Sequence, residues 1–519
     1  MEKVAPFAQN TVAFTGVSVI PMDAERILDS HTVFVEDGLI AAIGPDGSVP
    51  LPGNTQIIDG AGAFLLPGLA NMHAHLIEFD PDPRHLALYL AGGVTTVLSL
   101  NSQEEVFEWR QKSVRAGWAG PTILMSGPVI VGFPDDYRLL ALGLRAAVAA
   151  GIVLAGALLL AGAVLAMRLV GGAAPAAEFA GRWAVPWLVV SALAAIVIVW
   201  RKLISLRPLA ARFVPMAAVV ETPSQARAEV KRQARSGVDC IKVYDYLDHD
   251  TYLAALKAAK AEGIYTVGHI PEKPDFVSAQ EALEEGLSDV AHVDELTHEF
   301  LVDFKPETEG WVEWEIDRSK VAAIAGLVAT HQAAVTATLV TNESVLLGLE
   351  DLDALLQRPE YAYVKAEKLE QWKTGGRFVR WQGQTKYRRK ELRPLWMALT
   401  EALYTAGAPI LLGTDSDVEG IVPGFSEHRE LELMVEAGLS PFEALAAGTR
   451  NPARAAQKMG ADHNWGTIEA GNRADLILLS GNPLDDVRNT RHRLGVMVRG
   501  RWMPQAELDR QLADYREGR

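Results

Sequence analysis

Short apolar segments alternate with longer amphipathic segments through the middle of the chain. The amphipathic segments, such as 225–236, 251–262 and 392–406, have the spacing of helices that bury one face. The apolar segments predict eight strands, one ending before His73 and the others at 94–100, 122–130, 240–244, 265–270, 290–293, 334–340 and 409–413. Strands that alternate with helices predict an α/β fold with a parallel sheet, and eight such units predict a (β/α)8 TIM-like barrel.

The two ends of the chain depart from this alternation. Residues 10–66 are rich in short β-type segments punctuated by Gly and Pro, and β character returns in 474–479 and 495–498. We therefore expect 1–66 and 466–519 to pair as a composite β-sandwich domain. The barrel is then expected to comprise 67–137 and 213–465.

The segment 138–212 interrupts the barrel pattern between the third and fourth predicted strands. It contains two runs without a charged residue, 146–167 and 184–200, of which the first, with 22 residues, is long enough to cross a bilayer. Trp183, Trp187 and Trp200 stand where interfacial aromatic residues are expected. The segment therefore predicts an inserted two-helix transmembrane hairpin, with a buried or oligomer-facing helix pair of a soluble homo-oligomer as the alternative.

The charges beside the two runs predict an orientation. The connecting end carries only Arg168, Arg182 and Glu178, whereas six basic residues flank the outer ends. These six are Arg138, Arg145, Arg201, Lys202, Arg207 and Arg212. Because basic residues stay on the cytoplasmic side, we expect a two-pass protein of the inner membrane with its barrel in the cytoplasm.

Composition and charge exclude several classes of protein. With 49% hydrophobic and 22% charged residues among 519, the chain is not mostly disordered. Its net charge of −16 argues against a nucleic-acid partner. Its single cysteine, Cys240, can form neither an internal disulfide nor a cysteine zinc site. We expect it to be a small core residue, and the low cysteine count fits a reducing compartment.

Six residues near the ends of predicted strands form a candidate metal centre. His73 and His75 lie two apart on one strand, so their side chains point the same way and one ion can take both. The other four residues occur at or near the ends of separate strands, where barrel active sites are built, and are Lys242, His269, His292 and Asp415. Imidazole and carboxylate ligands suit zinc or a similar divalent ion. A lysine inside a buried strand is costly unless it is paired or chemically altered.

A set of ordered motifs surrounds these residues. Asp59-Gly60 and Pro67-Gly68 precede the two histidines, and the later motifs are Gly-Val-Thr-Thr at 93–96, Gly-Val-Asp-Cys-Ile-Lys at 237–242, Gly-His at 268–269, Gly-Thr-Asp at 413–415, Gly-Thr-Ile at 466–468, Ala-Asp-Leu at 474–476 and Gly-Asn-Pro-Leu at 481–484. The chain resembles the amidohydrolase superfamily, and within it the imidazolonepropionase-like and prolidase-like metal-dependent hydrolases. The resemblance covers nearly the whole chain except 138–212.

The resemblance implies a binuclear hydrolase of amide or peptide-like C–N bonds that acts through a metal-bridging hydroxide. His73, His75 and Asp415 are then expected to hold the more buried of two zinc ions. An N-carboxylated Lys242 would bridge to the second ion, which His269 and His292 would hold.

Two further roles follow from the same resemblance. Asp415 would carry the proton of the hydroxide to the leaving nitrogen. Tyr244, two residues after Lys242, is a candidate to hold the substrate carbonyl, with a tyrosine packed under a loop as the alternative. His428 is predicted to lie at a solvated helix start rather than in the pocket.

Two other functions stay open at this point. One is a mononuclear deaminase or cyclic-amide hydrolase of the same superfamily, against which the bridging lysine argues. The other is an inactive membrane-tethered binding or scaffold protein, against which the intact set of six ligands argues.

The positions of two insertions predict what the site faces. The hairpin leaves after the third strand and a basic, tryptophan-bearing stretch, 372–393, leaves after the seventh, both on the face that holds the metals. Basic residues near a membrane attract anionic lipids. We therefore expect membrane lipids as partners, a site mouth toward the bilayer, and a small amphipathic or lipophilic amide substrate such as an N-acyl amino acid or a dipeptide. A solvated lid is the alternative for 372–393.

Overall fold

The computed structural model describes residues 11–113, 120–132, 135–200, 217–272, 276–302, 315–380, 386–416, 418–461 and 464–518. Of the six basic residues used to predict the orientation, Arg201, Lys202, Arg207 and Arg212 lie outside the described residues. Arg138 and Arg145 lie in a described helix, but their side chains are outside the described part. The predicted orientation therefore stays a prediction.

One sheet combines strands from both ends of the chain. Its order is β18-β17-β16-β5-β1-β2-β3, with β4 paired to β1. The strands are β1 (Val12–Val19), β2 (Leu28–Glu36), β3 (Leu39–Pro45), β4 (Gln56–Asp59), β5 (Phe64–Pro67), β16 (Leu476–Leu479), β17 (Arg493–Val498) and β18 (Arg501–Pro504). Residues from both ends of the chain, such as Phe14 and Leu476, pack in one apolar core. The two ends therefore meet because neither can bury its apolar residues alone. The predicted domain boundaries themselves stay a prediction.

Parallel strands from the middle of the chain form two further sheets. The first has the order β6-β7-β8, and the second has the order β10-β9-β11-β12-β13-β14-β15. The strands are β6 (Leu69–Ala74), β7 (Val94–Ser99), β8 (Thr122–Met125), β9 (Ile130–Val131), β10 (Ala218–Val219), β11 (Cys240–Val243), β12 (Tyr265–Gly268), β13 (Asp289–Ala291), β14 (Ala334–Thr336) and β15 (Ile410–Leu411). Among the described residues, all eight predicted strands occur, and Cys240 is buried on β11 as expected.

The two parallel sheets approach each other at both edges without forming one closed ladder. An isolated bridge between Ser126 and Cys240 links the end of β8 to β11. At the other edge the Met72 N–H donates to the Leu412 carbonyl at 2.7 Å, and the Asp415 N–H donates to the His73 carbonyl at 2.8 Å. The prediction is therefore confirmed as an α/β fold with parallel sheets, whereas a closed barrel is not confirmed.

Helices connect most of the parallel strands and surround them. They are α1 (Leu76–Phe79), α2 (Leu86–Ala91), α3 (Glu104–Ser113), α4 (Asp135–Gly171), α5 (Ala173–Trp200), α6 (Pro223–Ala234), α7 (His249–Glu262), α8 (Ala279–Glu284), α9 (Val321–Thr330), α10 (Leu339–Leu356), α11 (Ala366–Thr374), α12 (Arg377–Arg380), α13 (Lys386–Thr405), α14 (Ser426–Glu436), α15 (Pro441–Gly448), α16 (Arg450–Lys458) and α17 (Gln505–Arg516). Local sequence sets several of their starts. Ser278 with Glu281 and Ser440 with Glu443 form capping boxes, in which each side chain bonds the other residue's backbone N–H.

Helices α4 and α5 occupy the predicted insertion and lie side by side. The chain reverses at Gly172, whose φ of 91° suits glycine. The indole N–H of Trp187 donates to the Gly156 carbonyl at 2.8 Å. A Cβ at Gly156 would lie 2.4 Å from the Ser191 hydroxyl, so the glycine permits this close helix contact.

The surface of this helix pair is strongly apolar. Leu158 and Leu159 on α4 are 65% and 67% exposed, and Val185 and Val190 on α5 are 68% and 65% exposed. Within the described residues, one helical segment, Ala149–Gly171, is long and apolar enough to span a membrane by length and composition. The predicted pair of membrane crossings is therefore not confirmed.

The described part of the stretch 372–393 contradicts the membrane-facing prediction at one residue, Trp372, which is buried against the rest of the protein. Trp372 is only 2% exposed and its ring lies edge-on to Tyr361 at 6.0 Å. Arg393 forms an ion pair with Glu436 at 3.2 Å. Trp381 lies outside the described residues. Six basic residues of the stretch lie in described helices, but their side chains are outside the described part, namely Arg377, Arg380, Lys386, Arg388, Arg389 and Lys390.

The prediction for 372–393 is wrong at Trp372 because this side chain belongs to an apolar cluster with residues of α2 and α17. The same contacts argue against a simple solvated lid. Lys365 pairs with the buried Asp80 at 2.7 Å, and the Tyr515 hydroxyl of α17 donates to the other oxygen of that carboxylate at 2.7 Å. The residues that lead into 372–393 are therefore held through Lys365 to Asp80, at the end of α1, which also bonds the C-terminal helix.

Gly92, directly after α2, allows this helix to approach the loop that joins β15 to α14. A Cβ at Gly92 would lie 2.2 Å from the Gly424 carbonyl oxygen, a backbone atom that cannot turn away. We expect Gly92→Ala to reduce the free energy of unfolding by about 1–3 kcal/mol, the usual cost of overpacking. The measurement is the thermal unfolding midpoint, which should fall.

Gly53→Ala is the matched control, since a Cβ there meets nothing within 4 Å. Its midpoint should equal that of the wild type. Equal midpoints for both variants would contradict the close approach of these two segments.

Candidate metal centre

The predicted ligands converge at the carboxyl ends of the parallel strands. His73 and His75 lie at the end of β6, and Lys242 lies in β11. His269, His292 and Asp415 directly or closely follow β12, β13 and β15, respectively. The five strands that carry these residues run in the same direction, so their carboxyl ends meet on one face and bring the six side chains together.

The Asp415 carboxylate lies among three of the histidines. Its Oδ1 is 3.2 Å from His75 Nε2 and 3.6 Å from His73 Nε2, and its Oδ2 is 3.9 Å from His292 Nε2. Ligand atoms of His73, His75 and Asp415 all lie within 4.8 Å of one another, a spacing that one metal ion can bridge. The Asp415 backbone has φ 51°, a left-handed conformation that aspartate tolerates and that aims its side chain inward.

The other half of the site surrounds Lys242. The ring of His292 lies 4.4 Å from that of His73 and 4.9 Å from that of His269, measured between ring centres. Tyr244 is partly exposed, with its ring centre 4.1 Å from that of His269 and 5.8 Å from Lys242 Nζ. Tyr244 therefore borders the site, and its role as a substrate ligand stays a prediction.

Burial and mutual charge set the protonation of these groups. Burial lowers the pKa of His73 well below its usual value and lowers that of His292 to about 3, so both imidazoles are neutral and offer lone pairs. Burial acts to raise the pKa of Asp415, but His73, His75 and His292 outweigh it and hold the pKa well below its usual range. The same burial lowers the pKa of Lys242 to about 8, against the opposing effect of Asp415 and Glu295.

The chemistry of these side chains fits a divalent metal. Among the described residues, three buried nitrogens at the centre have no hydrogen-bond partner, namely His73 Nδ1, His269 Nε2 and Lys242 Nζ. Buried polar atoms in proteins are nearly always satisfied, so this group of exceptions needs a reason. Neutral imidazoles, an ionised carboxylate and a lysine of lowered pKa are a donor set that can hold such an ion. The assignment of each residue as a ligand stays a prediction.

Two carboxylates that the sequence analysis missed orient His269. Asp245 Oδ1 and Glu295 Oε1 lie 3.2 Å and 3.1 Å from His269 Nδ1. Glu295 also accepts a hydrogen bond from the Ile270 N–H at 2.9 Å. With Nδ1 occupied by these acceptors, the unpartnered Nε2 is the atom left for a ligand, an arrangement typical of metal-binding histidines.

A second missed group fixes the strand ends beneath His73. Asn71 donates to the Thr414 hydroxyl at 2.7 Å and to the Glu427 carboxylate at 2.8 Å, and its Oδ1 accepts the His73 N–H at 2.9 Å. Burial raises the pKa of Glu427 to about 7, although the Asn71 hydrogen bond opposes this shift. The group therefore joins β6 to the segment that carries Asp415.

One signal for Asn71 was available in the sequence, because it lies two residues before His73 and thus on the same face of the strand. Glu427 gave no such signal, because acidic residues on an amphipathic helix are usually solvated. The prediction for His428 is wrong. This residue is 2% exposed and its ring nitrogens contact Thr490 at 2.9 Å and Arg493 at 2.9 Å, so it joins α14 to the C-terminal segment.

Comparison with known proteins defines the class. The sequence profile of the amidohydrolase family matches residues 64–503, which is most of the chain. The chain therefore belongs to the amidohydrolase family, and the prediction of a hydrolytic enzyme is confirmed at that level.

Individual relatives match shorter stretches. The chain is 42% identical over 81 residues to an enamidase of Eubacterium barkeri, which is 15% of this chain and 21% of the enamidase. It is 36% identical over 92 residues to an imidazolonepropionase of Salinispora tropica, 18% of this chain and 21% of that protein. The chain thus matches about a fifth of the length of these relatives. A solved Xaa-Pro dipeptidase shares the fold, with a TM-score of 0.59, 15% identity and coverage of 95% of this chain and 100% of that one.

Because Lys242 is buried, we expect the free energy of unfolding of the metal-free protein to depend on pH in the alkaline range. The pKa of Lys242 falls from 10.5 to about 8 on folding, so between these pH values the unfolded chain holds a proton that the folded chain has released. The free energy of unfolding should therefore rise with pH through this window, by about 3 kcal/mol relative to Lys242→Met. The measurement is urea unfolding in chelator and bicarbonate-free buffer at several pH values.

Lys257→Met serves as the control, since Lys257 is 58% exposed and pairs with Glu285 at the surface. This variant should keep the wild-type dependence on pH. Parallel curves for wild type and Lys242→Met would contradict the burial of an uncompensated ammonium group.

Proposed function

We propose that this protein is a binuclear metal-dependent hydrolase of an amide or peptide-like C–N bond. The observation that carries the proposal is the convergence of five side chains from four strands around a buried lysine whose Nζ has no hydrogen-bond partner among the described residues. We assign His73, His75 and Asp415 to one divalent ion and His269 and His292 to another, with Lys242 N-carboxylated between them. Carboxylation would turn the buried cation into an anionic ligand, which removes its desolvation problem.

Bound divalent ions would activate a water and polarise the scissile carbonyl. The ionised Asp415 carboxylate then accepts the proton of the water and passes it to the leaving nitrogen. Its position between His75 and His292 supports this role, because it reaches both halves of the site. Tyr244 is placed beside His269 at the border of the site, where its hydroxyl is a candidate to hold the substrate carbonyl.

The metal count tests this proposal against its alternatives. We expect two equivalents of metal in the detergent-purified wild type and one or fewer in Lys242→Ala, with Lys257→Ala unchanged because Lys257 is exposed. Elemental analysis of the purified proteins measures both values. N-acyl amino acids and dipeptides are the first substrates to assay.

Other metal counts favour other functions. One equivalent that Lys242→Ala does not change favours a mononuclear deaminase or cyclic-amide hydrolase. A wild type that holds no metal favours the inactive binding or scaffold protein.

We further propose that α4 and α5 anchor the enzyme in the cytoplasmic membrane and that its substrate is amphipathic. The apolar surface of both helices supports the anchor. The position of the helix pair supports the substrate class. The Ile130 carbonyl of β9 accepts the Tyr244 N–H at 2.9 Å, and the Gly132 N–H donates to the Asp245 carbonyl at 3.1 Å. Helix α4 begins three residues later, so the helix that carries the apolar surface starts at the rim of the site.

A charged substitution tests the anchor in the full chain. Leu158 is 65% exposed in the middle of α4, and an arginine within a membrane span costs about 2.5–3.5 kcal/mol. We expect Leu158→Arg to lower the fraction of protein that stays with membranes after a carbonate wash. Leu494→Arg is the control, because Leu494 is 43% exposed outside the helix pair and should behave as wild type. Complete release of the wild type by carbonate would contradict the anchor.

Deletion of 138–212 tests the substrate class. We expect the shortened enzyme to be soluble and to keep its metal, because none of the proposed ligands lies in the deleted segment. It should lose the preference for long acyl chains. The kcat/KM values for a series of acyl lengths measure this, and an unchanged preference would mean that the helix pair only anchors.

A further inference from the structure

His292 is held from behind by Thr338, which follows the neighbouring strand β14. Its Nδ1 lies 2.7 Å from the hydroxyl oxygen of Thr338, and both groups are buried. With Nδ1 engaged, Nε2 is the nitrogen that faces Asp415, at 3.9 Å. The Thr338 hydroxyl therefore fixes which nitrogen of His292 is presented to the site.

Thr338 occupies an unusual place for a threonine. It directly precedes α10, where a threonine normally bonds the backbone of the first helical turn with its side chain. Here the Thr338 side chain makes no such bond, and its backbone has φ 48°, a left-handed conformation that is unfavourable for a β-branched residue. The hydroxyl that would cap the helix is bonded to His292 instead.

Glu430 supplies the missing cap from another helix. This α14 residue is fully buried, and its two carboxylate oxygens accept the Leu339 N–H at 3.0 Å and the Val340 N–H at 2.6 Å. These are the first two residues of α10. Burial raises the pKa of Glu430 to about 8, while the two amides oppose the shift, so the hydrogen bonds are what make this buried carboxyl tolerable.

We infer that Glu430 is a positioning residue for His292, acting through the first turn of α10 and the hydroxyl of Thr338. By satisfying both helix N–H groups, Glu430 leaves the Thr338 hydroxyl available to the imidazole. It also holds the backbone of Thr338 in the strained conformation that places this hydroxyl. The inference rests on the proposed function only in that His292 is taken as a metal ligand.

Residues behind a metal ligand usually affect metal affinity by about 10- to 100-fold, and we expect an effect of that size here. Thr338→Val removes the hydroxyl at nearly constant volume, and Thr338→Ser keeps it. Glu430→Gln keeps one acceptor oxygen but turns an amide nitrogen toward a backbone N–H. We expect Thr338→Val and Glu430→Gln to bind one of two Co²⁺ ions about 10- to 100-fold more weakly, and Thr338→Ser to bind it as the wild type does.

The experiment titrates metal-free full-length protein with Co²⁺ and records the visible absorption spectrum. This spectrum reports the geometry of the ligands, which a merely structural substitution would leave unchanged. The controls are Thr400→Val and Glu229→Gln. Thr400 is buried with its hydroxyl bonded to the Trp396 carbonyl of its own helix, and Glu229 is buried and bonded to Arg232.

The outcomes separate this inference from the proposed function. Weaker binding and a changed spectrum in Thr338→Val and Glu430→Gln, with rescue in Thr338→Ser and no change in the controls, support the positioning role. A wild-type affinity and spectrum in both variants overturn it and leave the metal centre intact. A wild type that binds no Co²⁺ overturns the metal centre and this inference together.

Discussion

The burial of Lys242 is the constraint on which the rest of the site depends. An ammonium group at the centre of a parallel sheet loses its hydration, and among the described residues no side chain replaces the lost hydrogen bonds. Nearby acidic groups partly offset this cost. Four of them act to raise the Lys242 pKa that burial lowers, namely Asp415, Glu295, Asp289 and Asp245. These acids come from three parts of the parallel sheet, since Asp245 follows β11, Asp289 and Glu295 lie on and after β13, and Asp415 follows β15. The arrangement therefore requires the parallel topology of the sheet.

The same principle extends from the lysine to each histidine. His269 is backed by Asp245 and Glu295, and His292 by Thr338. Each partner comes from an element next to the one that carries the histidine. The positions of the ring nitrogens are therefore fixed by contacts between strands, and the site is rigid only if the neighbouring strands keep their register.

Much of this fold and site could be predicted from the sequence because the signals were local. The eight predicted parallel strands are short apolar runs, and His73 with His75 shows a two-residue spacing that any strand would place on one face. Glu430 and Glu427 could not be found in this way. Their burial depends on contacts far away in the chain, with an asparagine of β6 for Glu427 and with the start of α10 for Glu430. An acidic residue on an amphipathic helix normally faces water. The predicted environment of Trp372 was wrong because the sequence around it is ambiguous. A tryptophan near basic residues is equally compatible with a lipid surface and with a core.

Three residues at the strand ends, His292, Thr338 and Asp415, have φ values of 79°, 48° and 51°. Such conformations cost about 1–3 kcal/mol each and persist only where the surrounding structure enforces them. The backbone strain of the proposed metal site is therefore offset by stabilising contacts in the rest of the chain. Selection for greater heat resistance would be expected to act on the peripheral helices and the terminal sheet, because relaxing the backbone at these three positions would stabilise the protein at the expense of its chemistry.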